Sequence, residues 1–458
     1  MSRQATEFEV RASFALKSDT QAFDASQVQS ARAAMRANGS RFTGVTAALH
    51  AHPANVVRGI LALDGVAKSV VLVPFTACDA FADQALKLCN PDVVVCDEYV
   101  STDRWPAAIR APISSLSVSP ATGKLNDGVP FVATTWVLAT SGTTGTPKFV
   151  AHTGATLSRT VSRSERASKY VWGLLYDPAR FAGMQVVLQS MAAGSALVVP
   201  PPMIGLGAKI DYLIEHQVTA LSATPTLWRN IMMTPNARGL RLEQITLGGE
   251  IADAQVLALL KRSFPDAQIT HIYASTEVGV GFSVHDGNAG FPAEWLGTGA
   301  GGREWRLTAQ GTLAVRLQGA RPKYLHTSEL PPSADQWFDT GDLVEIIDGR
   351  ALFQGRLNGS INIGGNKVMP EEVEQIIGSH PSVAAVLVRA KKSSVAGALV
   401  EALVQLHPEV PESQHLEISR QIKVLCRDQL AVFKAPAFVK MVDKLPVSDN
   451  GKVMRNAT

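Results

Sequence analysis

Short apolar runs alternate with amphipathic stretches through the first three quarters of the chain. Residues 70–75 and 93–96 are brief, apolar and rich in β-branched side chains, which predicts buried strands. Residues 80–88, between them, place apolar side chains at helical spacing. Residues 132–139, 196–199, 269–272 and 313–317 predict further strands. Residues 253–264 predict a helix capped by Asp253, with Val256, Leu257, Leu260 and Phe264 on one face. Strands alternating with helices predict an α/β fold, with a large N-terminal domain of mixed, largely parallel sheets flanked by helices.

The pattern changes near Gly355, where a stretch rich in Gly and Asn begins. Pro370 then opens a helix whose first turn carries Glu371 and Glu372, where carboxylates suit the helix dipole. Strands at 383–389, 399–406 and 437–442 and a helix at 416–432 predict a compact α+β unit of about 100 residues. This reading gives an N-terminal domain at 1–355, a hinge at 356–359 and a small, mobile C-terminal lid domain at 360–458.

Composition narrows the class. Of 458 residues, 46% are hydrophobic and 18% charged, enough to bury a sizeable core. A net charge of +3 argues against a dedicated nucleic-acid surface. Cys78, Cys89, Cys96 and Cys426 are too scattered for a disulfide framework or a zinc site and predict reduced thiols. The first 19 residues lack the apolar core of a signal peptide, and no apolar run is long enough to span a bilayer. The expectation is a cytoplasmic protein, with its oligomeric state, monomer or homodimer, left open.

The sharpest local signal follows the predicted strand at 132–139. It reads Thr140, Ser141, Gly142, Thr143, Thr144, Gly145, Thr146, Pro147, Lys148. Glycines let backbone N–H groups turn toward phosphate oxygens, hydroxyls add donors, and Lys148 adds a point charge. The Gly-Lys-Ser/Thr ending of a Walker A loop is missing, and alone this is equally a plain surface turn. Five more motifs follow in order: Gly248-Gly249-Glu250, Tyr273-Ala274-Ser275-Thr276-Glu277, Asp339-Thr340-Gly341-Asp342, Gly355-Arg356-Leu357-Asn358 with residues 361–374, and Leu445-Pro446-Val447-Ser448-Asp449-Asn450-Gly451-Lys452.

Together the six motifs resemble the signatures of the adenylate-forming superfamily, which includes acyl- and aryl-CoA synthetases, luciferases and peptide-synthetase adenylation domains. They run from about residue 140 to 455. The likeness is nearest to acyl- or aryl-CoA ligases and implies ATP, Mg²⁺ and a small carboxylic acid as ligands. It further implies CoA, or a carrier protein's phosphopantetheine, as acceptor.

The resemblance implies a role for each residue. Gly248, Gly249 and Glu250 form the adenine-side turn, and Tyr273 offers a flat face to adenine. Thr276 donates to the α-phosphate, while Glu277 and Thr144 hold Mg²⁺. Asp342 accepts from the ribose hydroxyls and Arg356 donates to the same sugar; an ordinary Asp–Arg ion pair is the plain alternative. Lys452 neutralises charge between the attacking carboxylate and the α-phosphate. Asn358 is the hinge, and Gly364 and Gly365 flank a pantetheine tunnel.

Three departures stand out. Only 139 residues precede Thr140, so the first part of the usual N-terminal subdomain reads as shortened, although residues 55–97 keep its helix–strand–helix–strand order. The family's His-x-x-Gly acid-pocket motif is replaced by Arg180-Phe181-Ala182-Gly183. Arg180 either faces the pocket, is exposed at the surface or is tied to Asp177. Asn362 stands where many relatives have Lys. Arg180, Phe181, Gly183, Met184, Ala223 and Ser275 line or back the expected acid pocket, which suits an aromatic or medium acyl acid.

The expected activity is therefore a carboxylate–CoA ligase that forms acyl-AMP and pyrophosphate, then an acyl-CoA. The alternatives are a stand-alone ligase that loads a carrier protein and a non-catalytic adenylate-binding relative.

Overall fold

The computed structural model describes residues 8–19, 22–37, 41–77, 79–97, 105, 107–116, 132–139, 148–316, 323–325, 337–363, 366–393, 397–447 and 454. Among these, two parallel-rich sheets and one antiparallel sheet form a large N-terminal domain, and a smaller β-rich domain follows.

The first large sheet runs in the order Gly279–Val284, Gln268–Ser275, Gln244–Gly248, Ala220–Ala223, Val171–Gly173, Ala196–Val199, Ala15–Ser18, Ala22–Asp24. Its inner pairings are parallel and both edge pairings antiparallel. The early segment Ala15–Ser18 thus pairs with Ala196–Val199, far along the chain. The second sheet centres on Thr46–His50, with Ser69–Leu72 and Val93–Cys96 parallel on either side. The strand Thr135–Ala139 continues it, and Phe149–His152 returns antiparallel. Every residue of Val93–Cys96 is buried, as its apolar run requires when helices cover both faces. The third sheet is antiparallel and carries Trp337–Ile347 and Arg350–Arg356 as neighbours.

Local chemistry explains the element ends. Asp253 Oδ1 accepts from the N–H groups of Gln255 and Val256 at 3.0 Å each and so caps the helix Ala254–Ser263. The segment expected to be helical at 416–432 stops earlier, as His415–Gln429. Leu430 is already extended, and the turn Val432–Lys434 brings Lys434 Nζ to both oxygens of Glu372 at 2.6 and 2.7 Å. That ion pair ties the turn to the helix Pro370–Gly378, whose acidic first turn supplies Glu372.

The small domain rests on the large one. Gln255 Nε2 donates to the Gln375 carbonyl at 3.4 Å, and Gln405 Nε2 to Met233 Sδ at 3.7 Å. Gly355, at the end of Arg350–Arg356, has φ +121°, and a Cβ there would collide with the Glu371 carboxylate. Cys96 and Cys426 are buried and Cys89 partly so, all without disulfides; burial pushes the Cys89 and Cys426 thiols up to about 11. No described helix is long and apolar enough to cross a membrane.

Candidate functional site

Three of the predicted site residues, Tyr273, Asp342 and Arg356, meet where the first and third sheets meet. The strand Gln268–Ser275 delivers Tyr273, then turns through Thr276, Glu277 and Val278 into the antiparallel edge strand Gly279–Val284. Ser275 Oγ closes this turn by accepting from the Val278 N–H at 3.1 Å. Gly279 takes φ +73° just after it.

Asp342 is the centre of the cluster. Tyr273 donates its hydroxyl to Asp342 Oδ2 at 2.5 Å, and Arg356 Nε donates to Oδ1 at 2.8 Å. Asp342 and Arg356 are register partners on adjacent strands, so strand pairing itself sets their approach. The Asp342 side chain is 15% exposed and that of Arg356 54%, which leaves the guanidinium facing solvent on one side. Burial pulls Arg356 down, but the charge of Asp342 and its hydrogen bond, with the charge of Glu277, outweigh it and hold the guanidinium above its usual range. Glu277 therefore lies within electrostatic reach of Arg356. Burial, reinforced by Asp342, pushes the Tyr273 hydroxyl well above 10, so it stays a donor at neutral pH.

The Asp339–Asp342 segment of the strand Trp337–Ile347 is braced by its own side chains. The Gly341 N–H donates to Asp339 Oδ1 at 2.8 Å, and the Asp342 N–H to Thr340 Oγ1 at 3.3 Å. Thr312 Oγ1 donates to Asp339 Oδ2 at 3.0 Å and Thr340 Oγ1 to the Leu313 carbonyl at 2.7 Å, which lock the segment onto the neighbouring strand. Gly341 has φ +73°.

Tyr273 is more embedded than a free stacking platform. Its ring stacks on Phe282 at 5.2 Å and on Phe353 at 5.1 Å and meets Trp305 edge-on at 5.7 Å. Sequence reasoning missed this cage, because its members come from three different strands. The turn at Gly248 is also tied down. Tyr176 OH donates to the Gly248 carbonyl at 3.4 Å, and Glu250 Oε2 accepts from the Thr226 N–H at 2.9 Å. Gly249 has φ +82°. Tyr176 is buried.

Several expected pocket residues need correction. Met184 and Ala223 have no exposed surface and are core residues, which can back a pocket but do not line one. Phe181 is 8% exposed and packs beside His152 at 5.8 Å. Gly183 faces the preceding turn, because a Cβ there would collide with the Asp177 carbonyl; its small size serves helix packing. Arg180 opens the helix Phe181–Ala193 at its N-cap and is partly buried. The Asp177 carboxylate accepts from the Phe75 N–H at 3.0 Å and the Ala179 N–H at 2.8 Å. Lys148 places its ammonium 5.3 Å above the Tyr324 ring. Asn358 is exposed in the turn Leu357–Gly359. Thr140, Ser141, Gly142, Thr143, Thr144, Gly145, Gly364, Gly365 and Lys452 lie outside the described residues.

This set suits a ligand with hydroxyl groups, such as a sugar: Asp342 offers fixed acceptor oxygens, and Arg356 keeps donors exposed beside them. Among the described residues no group of three His, Cys, Asp or Glu side chains could enclose a metal. A divalent cation would therefore meet the protein through Glu277 alone of the described candidates and take most of its ligands from phosphates and water.

The chain matches the AMP-binding enzyme family model over residues 66–313 and the AMP-binding enzyme C-terminal domain over residues 372–452. It belongs to the AMP-binding enzyme family. The mitochondrial acyl-coenzyme A synthetase ACSM1 of Mus musculus is 24% identical over 346 residues, which are 70% of this chain and 60% of that protein. Surfactin synthase subunit 1 of Bacillus subtilis is 25% identical over 412 residues, 81% of this chain and 11% of that one. The chain thus spans less than two thirds of the length of either. The structure of the anthranilate CoA ligase AuaEII with anthranoyl-AMP superimposes with a TM-score of 0.79 at 18% identity, over 96% of this chain and 92% of that one. This likeness shows a shared fold, that of the adenylate-forming superfamily to which this AMP-binding enzyme belongs.

Proposed function

We propose that this AMP-binding enzyme activates a small carboxylic acid with ATP as an acyl-adenylate and transfers the acyl group to the thiol of CoA. The observation that carries the reading is the Asp342 carboxylate, fixed by Tyr273 and Arg356 beside the Thr276–Glu277 turn. Such a carboxylate accepts from both hydroxyls of a ribose, and Arg356 donates to the same sugar.

In the first step a carboxylate oxygen attacks the α-phosphorus of ATP and pyrophosphate leaves. Both partners are anions, so the site must supply positive charge and alignment. The Thr276 hydroxyl donates to the α-phosphate oxygen, and the Lys452 ammonium bridges the approaching carboxylate and phosphate. Glu277 and Thr144 would hold a Mg²⁺ ion, which would supply positive charge to the phosphates. Residues 140–145 cradle the phosphates, and Lys148 exchanges its contact with Tyr324 for them. Gly248, Gly249 and Glu250 shape the adenine side.

The acyl-adenylate then meets a thiol, which attacks the carbonyl carbon and expels AMP. This reading has the domain boundary at 356–359, with Asn358 as the hinge residue that lets residues 360–458 exchange Lys452 for the pantetheine tunnel beside Gly364 and Gly365. The long match to surfactin synthase subunit 1 supports a second acceptor, the phosphopantetheine arm of a carrier protein.

Pyrophosphate exchange against aryl, fatty and amino acids, followed by addition of CoA or carrier protein, tests both steps. Exchange with one class and thioester formation only with CoA is the expected result. No exchange with any acid would remove the ligase reading and leave an adenylate-binding protein.

A further inference from the structure

The Arg159 guanidinium binds main-chain carbonyls of two distant segments. Its Nη1 donates to the Gly301 carbonyl at 3.1 Å and its Nη2 to the Val280 carbonyl. Arg159 directly follows the helix Gly154–Ser158, and that helix follows the strand Phe149–His152, which begins at the residue after Lys148. The helix is short but fixed. Thr153 and Thr156 cap it reciprocally at 3.2 and 3.0 Å, and Gln185 Nε2 donates to the Leu157 carbonyl at 2.9 Å.

Both carbonyls belong to segments next to the candidate reaction centre. Val280 lies three residues after Glu277, on the outer strand of the first sheet, Gly279–Val284. Among the described residues that strand pairs on one side only, so its outward carbonyls lack a strand partner, and Arg159 satisfies one of them. The strand also begins against the helix: a Cβ on Gly279 would be 3.9 Å from the Thr156 carbonyl. Gly301 sits in a tight turn closed by Ala300 and Arg303, which exchange N–H to carbonyl bonds of 3.0 and 3.1 Å. The turn leads into Glu304–Leu307 of the third sheet. Gly301 has φ +59°, and a Cβ there would collide with the Gly281 carbonyl, so the turn rests backbone to backbone on the outer strand. One side chain thus ties the end of the second sheet to the edge of the first and the entry to the third.

We propose that Arg159 is a positioning residue for the Thr276–Glu277 turn. By holding Val280 and Gly301 it sets how far that turn stands from the strand that leaves Lys148. A nucleotide gripped at Lys148 then meets the Thr276 hydroxyl and the Glu277 carboxylate at a fixed separation, as in-line attack requires. This role rests on the reading of that turn as the reaction centre. Arginine suits it because a rigid fork reaches two carbonyls in set directions, whereas a lysine ammonium is a point charge on a flexible stem.

The test compares full-length wild type, Arg159→Met, Arg159→Lys and Gly301→Ala by pyrophosphate exchange, AMP titration and hydrogen–deuterium exchange. Arg159→Met should lower kcat, counted per AMP-binding site, by about tenfold or more, as misplaced reacting groups do. The Mg²⁺ concentration for half-maximal exchange should rise, while affinity for AMP, held through Asp342 and Arg356, should stay unchanged. Arg159→Lys keeps the charge and should fall between the two; it carries the comparison if the Met variant does not fold. Gly301→Ala should act like Arg159→Met, because its methyl lifts the turn off the strand. In the ligand-free chain, Arg159→Met should speed amide exchange within 276–284 and 299–303 and not elsewhere.

A loss of thermal stability with kcat per site and Mg²⁺ dependence unchanged would make Arg159 a structural tie alone. That result overturns the proposal and leaves carboxylate activation standing. If wild type exchanges pyrophosphate with no acid, the ligase reading falls and amide exchange decides. Acceleration confined to the two segments keeps the clamp; uniform or absent acceleration discards it.

Discussion

Arg356 and Asp342 face each other on neighbouring antiparallel strands, joined by a 2.8 Å hydrogen bond, while Tyr273 from another sheet holds the second oxygen of the same carboxylate at 2.5 Å. One side chain therefore couples the sheet that carries the Thr276–Glu277 turn to the sheet that leads into residues 356–359.

Asp342→Asn should uncouple this arrangement. It keeps the side chain's volume but leaves Arg356 without a counter-charge. The KM for ATP in pyrophosphate exchange should rise about tenfold or more, in keeping with about 1.5–3 kcal/mol for a charge-assisted hydrogen bond. Tyr273→Phe removes one donor only and should cost about 1 kcal/mol in urea unfolding, with a smaller rise in KM. Unchanged KM in both variants would mean that the trio is structural.

Lys452→Ala should abolish acyl-adenylate formation yet spare thioester formation from a supplied acyl-adenylate. Electrostatic stabilisation of this kind is worth roughly a hundredfold or more in rate. An equal loss in both half-reactions, measured separately, would contradict the role given to this lysine.

Gly183→Ala should destabilise the protein although it sits inside a helix. Replacing a helical Gly by Ala ordinarily gains about 1 kcal/mol. Here the new methyl would collide with the Asp177 backbone carbonyl, and overpacking of this kind costs about 1–3 kcal/mol. Chemical denaturation should show a net loss; a gain would mean that the turn at Asp177 yields easily.

Stability should fall as the pH drops below about 6.5, through His152. This imidazole is buried, its Nε2 has no partner among the described residues, and burial pulls it down to about 4. Unfolded, it titrates near its ordinary value, so between those limits the unfolded chain binds the extra proton. Unfolding is then favoured progressively from pH 6.5 down to about 4, by about 3 kcal/mol in all. Urea midpoints of wild type and His152→Gln across this range should converge at low pH if His152 is responsible.

Much of the fold was legible because strands and helices leave local marks. The buried strand Val93–Cys96 falls where its apolar run predicted it, and Asp253 caps the helix it was expected to cap. The overshoot at 416–432 had a cause no periodicity could reveal: Lys434 is drawn to Glu372, 62 residues earlier, and that requires a turn. Gly183 was expected to line or back the acid pocket, but the sequence does not say that the Asp177 backbone approaches it.

The sequence by itself determined the order of the motifs and the residue types they bring: a hydroxyl- and glycine-rich loop, a Thr–Glu turn, an aspartate and a closing lysine. Only the tertiary structure decided that Tyr273 and Arg356 share one Asp342 carboxylate, and that Arg159 reaches the carbonyls of Gly301 and Val280. The reason is physical. Periodicity and capping report forces among neighbours along the chain, whereas these contacts join residues 69 and 142 positions apart and exist only once the sheets have packed.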